Sequence, residues 1–495
     1  MTRNSPTPAQ TGRKKSAQGK ERCDADLSHE FPNTSSHRHP KEKTDGRWKR
    51  VRIGDALRLV NGTAFKPTDW TPDGLPIVRI QNLNNPDAPF NRFNGELPEK
   101  FRLRGGELLF AWSGTPGTSF GAHIWRGDDA WLNQHIFNVL FDKNEWDKRF
   151  LRLAINQNLA DYIRAAHGGA GLAHITKGRF EESELLQPPL DEQRRIVAEI
   201  EKQFTRLEAG VAALRRVQAN LKRYRAAVLK AACEGKLVPT EAELQKSEGR
   251  GQKGFESGAE LLTRILAERR KNWTGRGKYK EPAAPDTPNL PPLPEGWTWA
   301  TVEQLGDVQL GRQRSPKNIS KNYPTKYIRA ANITERGIDV SDVLEMEFSP
   351  AERERFALRD GDIVLSEASG SPSQVGKPAV WRNELPICCF QNTVLRLRPA
   401  VVGSKFVLTV FQQCYVNGVF AKVAGGVGIN HLGAEKSSAI SFPLPPLAEQ
   451  TRIVAEVERR LSVVEELESV VSANLQRAVR LRQSILQKAF TGELC

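Results

Sequence analysis

The longest regular pattern in the chain is a spacing of three and four between apolar residues. It runs through Ile196, Ile200, Phe204, Leu207, Val211, Leu214, Val217, Leu221, Tyr224 and Val228. It returns through Ile453, Val457, Leu461, Val464, Leu467, Val471, Leu475, Ala478, Leu481 and Ile485. Such steps keep one narrow stripe on one face of an α-helix, the seam of paired helices. Pro188–Pro189 and Pro445–Pro446 precede the two patterns, and a helix can start just after a proline but not continue through one. Asp191 is a candidate N-cap, and Gly235 and Gly492 are natural stops. A helix of about forty residues is about 60 Å long, more than one compact domain buries, and its narrow seam needs another helix. The nearest complement is the other copy in the same chain. Pairing of the two helices is therefore expected, in preference to each packing only on its own globular part. An antiparallel pairing would place the globular parts at opposite ends of a rod, related by a pseudo-twofold axis.

The two patterns are copies of one another. PPLDEQRRIVAEIE (188–201) and PPLAEQTRIVAEVE (445–458) agree at eleven of fourteen positions, at an offset of 257. At the same offset HGGAGLAHI (167–175) sits over AGGVGINHL (424–432), and KRYRAAVLKAACEGKLV (222–238) over VRLRQSILQKAFTGELC (479–495). Upstream the likeness thins and the offset drifts: LRGGELLFAWSGTPG (103–117) against LRDGDIVLSEASGSP (358–372), and IVRIQNL (77–83) against YIRAANI (327–333). The chain thus reads as two copies of one unit, about 47–238 and 297–495. The divisions are a polar, basic tail at 1–46, expected to be disordered, a globular part at 47–187 and a long helix at 188–238. A linker at 239–296 follows, with a short helix from about Gly258 to Trp273 and an extended Pro-rich stretch. A second globular part at 297–444 and a second long helix at 445–495 complete the chain.

Length and charge narrow the class. The 495 residues exceed one ordinary core, and 39% hydrophobic content is enough to bury real ones. The net charge of +15 favours a polyanionic partner, most often nucleic acid. No run of about 18 apolar residues marks a membrane span, and the N-terminus lacks the apolar core of a secretory signal. The six cysteines form no C-x-x-C pair and no disulfide framework, as expected of reduced thiols in the cytoplasm. A chain that mimics a symmetric dimer suits a partner with two half-sites, and duplex DNA is one.

No phosphate loop, amino-methyltransferase N-P-P-[FY] motif or paired-carboxylate nuclease signature occurs. The Gly-rich HGGAG and AGGVG runs match no nucleotide fingerprint and read as turns. His174 and His431, at matched positions, are expected to be structural rather than ligating.

The doubled E-Q-x-R-I-V-A-E openings, the helices ending in G-K-L and G-E-L, the stretch LLFAWSGTPGTSFGAHIW and the linker KYKEPAAPDTPNLPPLPEGW resemble the specificity subunit of type I restriction-modification systems. The resemblance covers about residues 47–495. It implies a mixed α/β fold: two globular α+β target-recognition domains, two long antiparallel coiled-coil helices and a pseudo-twofold internal repeat. It implies that the chain carries no catalysis or cofactor of its own. Two modification subunits, which methylate adenine at N6 with S-adenosylmethionine, would dock on the helices, and restriction subunits would add ATP- and Mg2+-dependent chemistry. The helices would set the gap in a bipartite site on double-stranded DNA. Spacer and docking residues on this reading are Glu192, Gln193, Ile196, Ile200, Phe204, Leu207, Leu214 and Leu221, with Glu449, Gln450, Ile453, Val457, Leu461, Val464, Val471 and Leu481.

Base reading needs donors and acceptors on exposed loops, with phosphate contacts beside them. Candidates in the first copy are Lys66, Arg79, Gln81, Asn82, Trp112, Ser113, Thr115, Thr118 and Ser119. In the second they are Arg312, Gln313, Arg314, Lys317, Arg329, Asn332, Ser369, Ser371, Ser373, Gln374 and Lys377. The basic stretch LGRQRSPKNISKNYPTK (310–326) is the strongest of these. Arg194, Arg195, Arg452 and the Lys222–Arg223–Arg225 cluster read as solvated helix faces or protein contacts. A fused restriction enzyme and a coiled-coil scaffold without sequence preference are the alternatives.

Overall fold

A computed structural model describes residues 48–85, 87–114, 119–165, 173–247, 255–275, 277–314, 322–425 and 430–494. The expected N-terminal tail, the HGGAG run and the middle of the basic 310–326 stretch lie outside these residues. The chain divides into two compact units, Met1–Gly210 with Arg477–Cys495, and Val211–Gln476. The expected long helices are both present, as Leu190–Cys233 and Leu447–Thr491, 44 and 45 residues long.

Each long helix begins with a buried carboxamide. Gln193 accepts from the backbone N–H of Asp147 at 2.9 Å and donates to the carbonyls of Glu145 and Pro188 at 2.8 and 2.9 Å. Gln450 does the same work in the second unit. It accepts from the N–H of Gly403 at 3.1 Å and donates to the Pro445 carbonyl at 3.0 Å. Neither side chain meets solvent appreciably, at 0% and 3% exposure. Beside Gln450, the buried Glu449 accepts from the Trp297 indole N–H at 2.9 Å and the Glu241 backbone N–H at 3.1 Å. Burial raises the Glu449 carboxyl above its usual range, and these donors partly offset that effect.

The helices run antiparallel, which each unit shows by itself. In the first, Ile196, Ile200 and Phe204 near the start of one helix share a core with Ile485, Ala489 and Phe490 near the end of the other. In the second, Val228, Leu229 and Ala232 near one end pack with Ile453, Val457 and Leu461 near one start. A smaller apolar cluster in the second unit joins Leu221, Val464 and Val471, with Leu214 and Leu475 against it.

The seam departs from the expected one in phase. Val217, Tyr224, Leu467 and Leu481 are exposed, while Arg225, Glu468 and Arg482 turn partly inward. In the second unit the Arg225 guanidinium lies 3.8 Å from Glu465 and 3.2 Å from Glu468. In the first, the Arg482 guanidinium lies 3.8 Å from Glu208 and 4.6 Å over the Phe204 ring. Arg225 and Arg482, and Glu208 and Glu465, are the same repeat positions at the offset of 257. Where paired helices meet, long charged side chains cover apolar neighbours with their stems and ion-pair across the seam. A step of four instead of three, which the apolar spacing does not exclude, brings them there.

The globular parts share one topology. In the first unit a four-stranded antiparallel sheet runs in the order Leu57–Asn61, Ile136–Phe141, Leu108–Ala111, Gly121–Ile124. In the second the order is Gly306–Leu310, Val394–Pro399, Ile363–Ser366, Pro378–Val380. One of the two inner strands of each, LLFA and IVLS, is wholly buried, as expected of strands covered on both faces. A parallel pair stands beside each sheet, Leu75–Val78 with Ala130–Leu132 and Pro324–Ile328 with Cys389–Phe390. The short helix expected in the linker is present as Gly258–Lys271 and buries Leu261 and Ile265 in the second unit's core; a further helix, Glu241–Ser247, precedes it.

Gln193→Ala or Gln450→Ala leaves a buried backbone N–H without its acceptor. Each is expected to destabilise its own unit by about 1–3 kcal/mol, read by denaturant unfolding of the folded chain. A change below about 0.5 kcal/mol, the range of ordinary surface substitutions, would remove the carboxamide from its role.

Candidate nucleic-acid interface

The inner sheet strand and the turn before its neighbour build the same backbone frame twice. In the first unit Gly62 donates to the Ile136 carbonyl, Thr63 to Leu132, Asn133 to Val78, Ile136 to Asn133, Trp112 to His135 and Ile175 to Trp112. In the second, Gly311 donates to Val394, Arg312 to Phe390, Gln391 to Ile328, Val394 to Gln391, Glu367 to Thr393 and Leu432 to Glu367. The six bonds correspond one for one. Each glycine is required by close approach. A Cβ on Gly62 would sit 2.1 Å from the Asn133 carbonyl oxygen, and one on Gly311 2.2 Å from that of Gln391.

A second matched element holds the arginines. Asn82 accepts from the backbone N–H of Arg79 at 3.1 Å, and Asn332 from that of Arg329 at 3.0 Å. Their amides donate to the Ala88 carbonyl, and to those of Asp339 and Asp342. Both asparagines are 3% exposed, so these two candidates hold the turn and do not present an amide to the surface.

On this common frame the side chains differ. In the first unit Trp112 donates its indole N–H to the Gln134 carbonyl at 3.2 Å and meets the His174 ring edge-on at 4.6 Å. His135 lies 5.3 Å from Trp112. A cavity of about 90 Å³ is lined by Phe65, Trp70, Ile77, Arg79, Asn133, Gln134 and His135. The Arg79 guanidinium lies over Trp70 at 5.7 Å. Burial, with His174 and then Arg79 nearby, lowers the His135 pKa below its usual 6.5, which keeps the ring neutral at pH 7.

In the second unit Glu367 takes the place of Trp112, and His431 Nδ1 lies 3.1 and 3.2 Å from its carboxylate oxygens. Thr393 takes the place of His135 and accepts from the Ala330 N–H at 3.1 Å. Arg329 is ion-paired with Asp342. Arg312 is paired with Glu352 at 2.8 Å, bonded to the Glu347 carbonyl and stacked over Phe348 at 5.1 Å. His174 and His431 thus each sit in a matched local contact, and no group of three or more His, Cys, Asp or Glu among the described residues could hold a metal.

The remaining candidates divide by exposure. Lys66, Gln81, Gln313, Arg314, Ser371, Ser373 and Gln374 are exposed, Lys377 and Ser369 are intermediate, and Ser113 and Ser119 are buried. Ser369 accepts from the Ser371 N–H at 3.1 Å, and the Ser371 and Ser373 hydroxyls are 2.9 Å apart. Thr115, Thr118 and Lys317 lie outside the described residues. Phe65, Trp70, Gln134, His135 and Asp342 were not among the sequence candidates. The available signal was the pair of short polar runs Asn133–Gln134–His135 and Gln391–Asn392–Thr393, each just ahead of an apolar strand.

Of the helix residues, Glu192, Gln193, Ile196, Ile200, Phe204, Leu221, Glu449, Gln450, Ile453, Val457, Leu461, Val464 and Val471 are buried. The apolar ones pack within the cores of their own units, and Leu481 faces outward. Arg452, read as a solvated helix face or a protein contact, makes a contact within the chain: it is partly buried, paired with Glu241 and bonded to the Pro239 carbonyl at 3.3 Å. Cys233, Cys388, Cys389 and Cys414 are buried free thiols. Burial pushes Cys388, Cys389 and Cys414 up to about 12, so they are protonated and inert as nucleophiles at neutral pH. No helix among the described residues is long and apolar enough to cross a membrane.

Residues 46–213 match the family model of the type I restriction modification DNA specificity domain. The chain is 22% identical over 459 residues to the type I restriction enzyme EcoBI specificity subunit of Escherichia coli, covering 90% of this chain and 86% of that one. It is 25% identical over 468 residues to the EcoKI specificity subunit of Escherichia coli strain K12, covering 90% and 89%. A solved chain, from work on complex assembly and conformational transition of the type I restriction-modification system, shares the fold. It superposes with a TM-score of 0.57 at 21% identity, over 91% of this chain and all of that one. With its doubled frame and doubled helix, the chain is similar over nearly its whole length to specificity subunits of type I restriction-modification systems, and its residues 46–213 match their DNA specificity domain.

Proposed function

We propose that each globular part reads one half of a bipartite site on double-stranded DNA, and that the two long helices set the gap between the halves. The observation that carries this reading is the frame built twice with different polar side chains on it. A reader of two unlike half-sites needs one way of presenting side chains and two sets of side chains to present. The net charge of +15 supports a polyanionic partner. The chain itself carries no chemistry on this reading. Two modification subunits bring S-adenosylmethionine to the adenines, and restriction subunits bring ATP and Mg2+, all in the cytoplasm.

The modification subunits dock where the helices leave apolar side chains in water. Val463, Leu467 and Val470 recur at steps of four and three and are 51%, 44% and 51% exposed. Val217 and Tyr224 on the other helix are exposed as well. Contiguous exposed apolar residues mark interaction sites more often than single ones do.

The assembled complex is expected to methylate adenine within a split motif, read by sequencing modified bases in host DNA. Uniform methylation without a motif would leave only a scaffold. Inserting about four residues, one turn, into a long helix is expected to lengthen the gap and leave both half-sites unchanged. Altered half-site sequences would end the proposed division of labour.

Leu467→Asp with Val470→Asp is expected to abolish co-purification with the modification subunit while helical circular dichroism is retained. Unchanged co-purification would move the docking surface elsewhere.

A further inference from the structure

The first unit's cavity contains groups that the fold leaves unfinished. Gln134 Oε1 and His135 Nδ1 are buried and have no hydrogen-bond partner among the described residues. Such atoms are costly in a folded protein, and each calls for an explanation. Both belong to side chains that line the same cavity, beside Arg79.

Arg79 is unusual in a second respect. Its guanidinium is steadied by the Trp70 face at 5.7 Å and has no ion-pair partner among the described residues. The matched arginine of the second unit, Arg329, is neutralised by Asp342. The same arginine on the same turn is therefore available in one unit and closed in the other. Nothing acidic lines the first cavity, whose titratable lining groups are Arg79 and His135.

A planar fork of donors over an aromatic face, with no carboxylate paired to it among the described residues, fits a flat ligand edge that offers two acceptors. In DNA that edge is guanine, whose O6 and N7 take both arms of an arginine. Thymine and cytosine do not offer that pair, and adenine replaces one acceptor with a donor.

We infer that Arg79, in the cavity walled by Phe65, Trp70, Gln134 and His135, reads a guanine in the half-site of the first unit, and that the matched position of the second unit is closed by the Arg329–Asp342 pair. This rests on the proposal that the globular parts read DNA. Arg79 sets specificity here; Trp70 steadies its guanidinium, and Gln134 and His135 line the cavity beside it.

The experiment uses the complete complex with its modification subunits, on a DNA library randomised across both half-sites. Methylation is read base by base. Wild type is expected to require guanine at one position of one half-site. Arg79→Ala is expected to relax that position by at least roughly tenfold, the scale of one bidentate contact, with the other half-site untouched. Arg79→Lys, which keeps the charge and loses the fork, is expected to relax it too. Gln134→Ala, which leaves the guanidinium in place, is expected to weaken the same position and no other.

A uniform loss across all sequences, with a shallower dependence on salt, would make Arg79 a phosphate contact and overturn the inference. So would unchanged preference in all three variants, or a wild-type motif without guanine. A wild-type complex with no split motif at all would instead overturn the function on which the inference rests. Arg329→Ala serves as the matched control and is expected to leave the guanine position unchanged.

Discussion

A side-chain amide at the foot of each long helix governs how the rest of the molecule is built. Gln193 and Gln450 are out of water, and each closes a bond to the backbone of its own globular part and another to the proline carbonyl just before its helix. A buried amide must be satisfied on both its oxygen and its nitrogen. That double demand fixes the direction in which the helix leaves the sheet. Once the direction is fixed, the start of one helix can meet the end of the other only in one register. The apolar clusters and the matched Arg–Glu pairs of each unit follow from that register. The near-identity of the two PPLxEQ openings is therefore a demand of hydrogen bonding before it is a demand of any partner.

Much of this was legible in the amino-acid order. The helices were, because an apolar step of three and four over ten positions has few other meanings. The repeat was, because the offset of 257 holds without a gap where the helices lie. The exact face was less so. Val217 and Gln218, like Tyr224 and Arg225, are equally compatible with a heptad through Leu214 and Leu221. Apolar character alone selects Val217 and Tyr224, yet the polar neighbours Gln218 and Arg225 turn partly inward, and Arg225 pairs across the helices. Ion pairs across a seam are invisible until the partner's register is known.

The candidate site was half legible. Arg79 and Arg329 were found through their matched surroundings, and their unlike states were not, because Asp342 lies thirteen residues from Arg329 along the chain. Asn82 and Asn332 carry a reader's functional groups and spend them on the turn that presents the arginines. Gln134 and His135 escaped notice because a three-residue polar run ahead of a strand looks like any other turn. Only the pairing of sheet strands brings that run beside Phe65 and Trp70.

The glycines at 62 and 311 have a consequence for how such a protein can change. Each lets a chain segment lie directly against the carbonyl that starts the polar run, with no room for a side chain between. The backbone bonds of the frame do not involve the side chains of residues 134, 135, 392 and 393 as donors or acceptors. Those positions behave as a socket that accepts different fittings. A lineage under pressure to recognise new targets could exchange a few side chains there while every strand, turn and helix stayed where it was.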